Sequence, residues 1–96
     1  MKDGLNFEGL YKDGVPQFTK DILDQIDKLS DIVVNRHYAK MNAIDKEEMK
    51  SLAVLKAIKL IKEGSFDCSK SSIKNYLYTG MRNEMSNFIY SKRKEV

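Results

Sequence analysis

A chain of 96 residues with 42% hydrophobic and 32% charged side chains is long enough for one domain with a modest core, and too short for a deep two-layer enzyme cleft. Five glycines, one proline and an abundance of Ile, Leu, Lys and Met favour helices over sheets, so the expected class is all-α, a compact bundle. The net charge of +3 hides a division: Met1 to Glu48 holds seven basic residues against ten acidic, and Met49 to Val96 ten against four, so only the second half suits a polyanion.

Residues 1–15 read as an irregular arm, with Lys-Asp-Gly occurring twice as a turn signal at Lys2 and Lys12. Leu5, Phe7, Leu10 and Tyr11 make it too apolar for a free tail, and it is expected to pack against the bundle or against a partner. The helical domain, residues 16–96, opens near Pro16 to Thr19, where proline is tolerated and Thr19 can cap. The core stripe of the first helix is Phe18, Ile22, Ile26, Leu29, Val33 and His37, and Asp21, Asp24, Asp27 and Asp31 form an acidic outer face.

Asn42 to Ile44 read as a short break, followed by a capping box in which Asp45 is the N-cap and Glu48 the N3 residue. The second helix runs to Glu63 and is stopped by Gly64. Its apolar residues cover far more than one stripe of about 100°. Either it is central to the bundle, or it also docks a partner. A connection from Ser65 to Lys70 leads to a third helix capped by Ser71 or Ser72 and running to Lys94.

That third helix sorts its residues onto two faces. Ile73, Leu77, Met81, Met85 and Phe88 recur at core spacing, while Asn75, Thr79, Arg82, Asn83, Ser86, Tyr90 and Arg93 share a polar stripe without a carboxylate. Tyr76, Tyr78 and Tyr90 can stack on unpaired bases, Arg82, Lys92, Arg93 and Lys94 can reach phosphates, and Asn83 can pair with a base edge. The bland reading of the same residues is that the tyrosines finish the bundle surface and the terminal cations complement the helix C-terminus.

Catalytic and metal chemistry find little support. His37, the single histidine, falls on the apolar side of its helix and reads as a packed core or interface residue. Cys68 has no cysteine partner, which points to a reducing, cytoplasmic setting. The aspartates spread over several turns and cannot converge on one ion, and no phosphate-binding glycine loop occurs. No enzyme activity, cofactor, metal or small-molecule substrate is therefore expected. No apolar run approaches the ~20 residues that span a bilayer. Surface association through Lys56, Lys59 and Lys62 is disfavoured, because that segment also reads as core.

From Asp45 onward the order of features resembles conserved region 2 of bacterial sigma factors, the promoter-specificity subunits of RNA polymerase. Three segments carry the resemblance: EEMKSLAVLKAIKLI at Glu47 to Ile61, SFDCSKSSIKNYLY at Ser65 to Tyr78, and MRNEMSNFIYSKRK at Met81 to Lys94. The first is similar to the family's helix that binds the clamp helices of the largest polymerase subunit. The second resembles the Phe-Asp turn and aromatic helix start that capture the upstream part of the minus-ten element, and the third its Ile-Arg-Asn-Glu-Ile continuation. Thr79 and Gly80 fall near the family's adjacent tryptophan pair, and Lys62, Glu63 and Gly64 lengthen the helix before Phe66, as in a divergent member similar to the sigma-like late-transcription subunits of bacteriophages.

The resemblance implies a non-catalytic initiation subunit whose partners are core polymerase and promoter DNA, including the single-stranded non-template strand. Glu47, Glu48, Ser51, Leu52 and Leu55 would lie against the clamp. Tyr76 would stack near the flipped adenine with Phe66 and Lys70 beside it, Arg82, Asn83 and Ser86 would face the upstream duplex or fork, and Asn75, Tyr78, Thr79, Tyr90, Lys92 and Arg93 would complete the DNA surface. A helix-turn-helix domain for a minus-thirty-five element does not fit in this length, so upstream contacts are expected either from another protein or, if the chain is a fragment, from a part that follows Val96. The alternative from another class is a small helical interaction module, a phage regulator or antitoxin-like protein, that never touches DNA.

Overall fold

The computed structural model describes residues 5, 7–64 and 72–94. Three helices, α1 (Lys20–His37), α2 (Ala43–Glu63) and α3 (Ile73–Lys94), form an all-α bundle preceded by a small hairpin of β1 (Tyr11–Lys12) and β2 (Val15–Pro16). The hairpin is antiparallel, pairing Tyr11 with Pro16 and Lys12 with Val15. Its two turn residues, Asp13 and Gly14, both hold positive φ (52° and 79°), the backbone that a two-residue hairpin of right-handed twist requires. The second Lys-Asp-Gly is thus the turn its composition signals, and the two-residue strands on either side of it are what the expected irregular arm did not include.

Each helix begins where a side chain can accept an orphan backbone amide. The Thr19 hydroxyl accepts from the Ile22 amide at 3.2 Å, and the Ser72 hydroxyl from that of Asn75 at 3.2 Å. The expected start of α2 is corrected. Its N-cap is Asn42, whose Oδ1 accepts from the Asp45 amide at 2.8 Å, and Asp45 is the N3 residue rather than the cap. The helix therefore includes Ala43 and Ile44, and Ile44 stands 78% exposed on its first turn. Gly64 ends α2 in the left-handed conformation at φ 65°, its amide bonded to the Leu60 carbonyl.

One core joins all these elements. Ile22, Ile26, Leu29 and Val33 of α1, Met49, Ala53, Ala57 and Ile61 of α2, and Leu77, Met81 and Met85 of α3 are fully buried or nearly so. The buried row of α2 repeats every four residues, and its two central alanines let the flanking helices approach closely. α2 packs against both neighbours, most extensively against α3, which explains much of its wide apolar cover. Ile44 and Leu55 are the exceptions, at 78% and 62% exposed. The arm contributes Leu5, Phe7 and Leu10 to the same core. Phe7 holds φ at 53°, unusual for an aromatic residue, and its amide donates to Oε1 of the buried Gln25 at 2.9 Å. The Tyr11 hydroxyl donates to the Ile61 carbonyl at 2.9 Å and ties the hairpin to the last turn of α2.

Candidate nucleic-acid interface

With Leu77, Met81 and Met85 turned inward, the helical period of α3 sends Asn75, Thr79, Arg82, Asn83, Ser86 and Tyr90 outward, and all six are exposed. Tyr90 is 62% exposed. Glu84, the carboxylate nearest this stripe in sequence, is half-buried on the flank toward α2. Phe66 and Lys70 lie outside the described residues, as does the side chain of Arg93.

The stripe is bordered differently along its two edges. Toward α2, Tyr76 lines a groove with Lys56, Leu60, Gly80, Asn83 and Asn87, of about 270 Å³. Gly80 sets the depth of that groove: a Cβ there would stand 2.5 Å from Leu60 Cδ1, so the absence of a side chain lets α2 close on α3. Toward α1, Nε2 of His37 and the Tyr78 hydroxyl are 2.7 Å apart, with the two rings edge-to-face at 5.8 Å and 71°. One residue on, the Tyr38 hydroxyl meets Ser86 Oγ at 2.8 Å. Tyr38, Met41, Ser86, Ile89 and Tyr90 line an apolar groove beside that contact.

The placement of His37 corrects the expectation that it closes the core stripe of α1. The stripe ends at Val33 and Val34, and His37 is exposed, because the last turn of α1 leaves the bundle interior and meets only the rim of α3. Lys92 is also placed away from the stripe. Its Nζ pairs with Asp45 Oδ1 at 3.0 Å and sits 5.5 Å from the centre of the Phe88 ring, so it joins α3 to the start of α2. Arg82 has no ion-pair partner among the described residues.

The residues expected to meet the polymerase are divided between two sides of α2: Glu47, Ser51 and Leu55 face α1, whereas Leu52 belongs to the row of Lys56 and Leu60 that borders α3. Glu47, Ser51 and Leu55, one turn apart in succession, line a groove with Asp27, Lys50 and Val54, Glu48 is exposed, and Leu52 is half-buried. Lys50 pairs with Asp31 across the groove. The hydrogen bond from Asp31 raises its pKa above the usual 10.5, and the charges of Asp31, Asp27 and Glu47 add to this against the opposing effect of burial. Lys50 is therefore held as a cation by α1, and Asp27 and Glu47 leave the groove acidic at its rim.

No group of three or more His, Cys, Asp or Glu side chains among the described residues is placed to hold a metal ion, and no described helix is long and apolar enough to cross a membrane. Lys56, Asn87 and Tyr38 border the interface without having been singled out for it. Asn87 continues the Asn83 row by one turn and was open to a reading by period, whereas Lys56 and Tyr38 reach it through tertiary contacts that no local pattern announces. No family model matches the chain, and neither the curated proteins nor the solved structures contain a match.

Proposed function

We propose that this protein is a sigma-like initiation subunit that docks on RNA polymerase core and offers α3 to promoter DNA of the minus-ten type, without catalytic residues of its own. The observation that carries the reading is the exposed stripe of α3, where amides, hydroxyls, a tyrosine and Arg82, which has no ion-pair partner among the described residues, share one surface, bordered by Tyr76 and Tyr78. Such a mixture serves a nucleic acid by chemistry: cations meet phosphates, amides meet base edges, and aromatic rings meet unstacked bases. The separate acidic groove at Glu47, Ser51 and Leu55 supports the second half of the reading, since one protein must hold polymerase and DNA at once. Leu55 and Ile44, both exposed, are the features that also favour the alternative of a protein-interaction module without DNA contact.

The decisive experiment is a pull-down against bacterial core polymerase, followed by retention of a fork-junction promoter oligonucleotide by the assembled complex. Tyr76→Ala should weaken retention by about 1–3 kcal/mol if its ring stacks on a base, and Arg82→Ala should weaken it with a reduced salt dependence. Unchanged retention by both variants would remove the assigned DNA face. Failure to bind core polymerase would favour the interaction module.

A further inference from the structure

His37 is an exposed residue with an unusually well-defined neighbour. Its ring meets Tyr78 edge-to-face, its Nε2 lies 2.7 Å from the Tyr78 hydroxyl, and the two residues are 41 positions apart in the chain. The next residue, Tyr38, makes the same kind of tie to Ser86, two turns further along α3. Tyr78, Arg82 and Ser86 are successive residues of one i, i+4 row. The C-terminal turn of α1 therefore fixes both ends of that row and leaves its central cation free of any ion pair among the described residues.

A surface tyrosine that is not held in place samples several rotamers, and ordering it on binding costs affinity. Here the hydroxyl and the ring edge are both engaged before any partner arrives. Whichever atom carries the shared hydrogen, the Tyr78 oxygen keeps hydrogen-bonding capacity. If it accepts from His37, its own hydrogen is free to donate to a phosphate or base acceptor; if it donates, its remaining lone pair can accept from a base amino group.

We infer that His37 is a positioning residue of the nucleic-acid face, acting through the Tyr78 hydroxyl to fix that ring beside Arg82, so that the binding surface for a nucleic-acid strand extends across the seam between α3 and the last turn of α1. This rests on the proposed DNA-binding role and assigns α1 a part in it. His37 is exposed, and Tyr78, half-buried with its ring packed against the edge of the core, meets Nε2 of His37 through its hydroxyl at the surface, so the contact orients the polar end of a ring that the core already holds at its base.

The test is a double-mutant cycle on the full chain assembled with core polymerase, using a fluorescein-labelled fork-junction oligonucleotide as the probe and thermal melting of each variant as a parallel measurement. His37→Ala should weaken retention about fivefold and Tyr78→Phe at least as much, and the double variant should be no weaker than Tyr78→Phe alone, because His37 acts only through that hydroxyl. His37→Gln, whose amide can still reach a hydroxyl, should restore most of the loss, while melting temperatures stay close to the parent's. Parent-like retention by His37→Ala, or losses that multiply in the double variant, would overturn the positioning role and leave the DNA-binding reading standing. If the unmutated complex does not retain the oligonucleotide, both fall together.

Discussion

Replacing Gln25 by Leu should cost the protein about 2 kcal/mol, through one backbone amide. Gln25 is 7% exposed on α1, and its Oε1 is the acceptor for the Phe7 amide at 2.9 Å, while its Nε2 donates to Asp21 Oδ2 at 3.0 Å. Leu fills similar space and keeps the helix, but it offers the Phe7 amide nothing. A buried donor left without a partner costs about 1–3 kcal/mol. The arm cannot escape cheaply, because its release would expose Leu5, Phe7 and Leu10, each stabilising by about 1.5–3 kcal/mol when buried. The loss should therefore appear in global stability. For a domain of this size, 2 kcal/mol corresponds to a fall in melting temperature of roughly 8–16 °C. Urea denaturation followed by circular dichroism measures it, and hydrogen exchange at the Phe7 amide localises it. A variant within about 0.5 kcal/mol of the parent, with the Phe7 amide still protected, would show that Gln25 is not the partner that holds the arm.

Gly80→Ala should be neutral to destabilising by up to about 1 kcal/mol, since the gain in helix propensity is offset by displacing Leu60. In a Leu60→Ala background the same change should become stabilising by about 1 kcal/mol, and an unchanged sign would mean that Leu60 is not what Gly80 accommodates. Asn42→Ala should cost about 1 kcal/mol in thermal unfolding by removing the acceptor for the Asp45 amide, whereas no loss would return the cap to Asp45. Tyr11 is shifted above its usual 10.0 by burial first and by Tyr76 second. The folded state thus holds the phenol proton more tightly than the unfolded state, so this contribution is complete below pH 10 and declines as pH rises through the folded value. Stability measured between neutral and strongly alkaline pH should fall less in Tyr11→Phe than in the parent, and identical slopes would contradict the assignment.

The parts of this fold that could be read from the sequence are those governed by local rules. Thr19 and Gly64 bound their helices because capping chemistry involves only a few neighbouring residues, and the buried row Leu77, Met81 and Met85 follows from one helical period. The start of α2 was misplaced because Asn42 to Asp45 and Asp45 to Glu48 are overlapping cap patterns, and the apolar Ile44 between them gives no hint that it lies on an exposed first turn. Two-residue strands are too short to show alternation, so the hairpin announced itself only through its turn. The exposed half of α3 was legible as a surface, but its borders were not. His37 continues the apolar period after Val33, and only the direction in which α1 leaves the bundle decides that it meets Tyr78 at the rim.

The bond from Tyr11 to the Ile61 carbonyl spans 50 residues, and it satisfies one of the last-turn acceptors that α2 cannot pair within itself. Such a contact cannot form until α2 exists and the chain between has closed, whereas the helices themselves need only local contacts. The hairpin therefore seats against Ile61 only after α2 has formed to its last turn. Its attachment serves as a late checkpoint: a chain whose α2 is frayed at Ile61 has no acceptor in place for the arm to close upon.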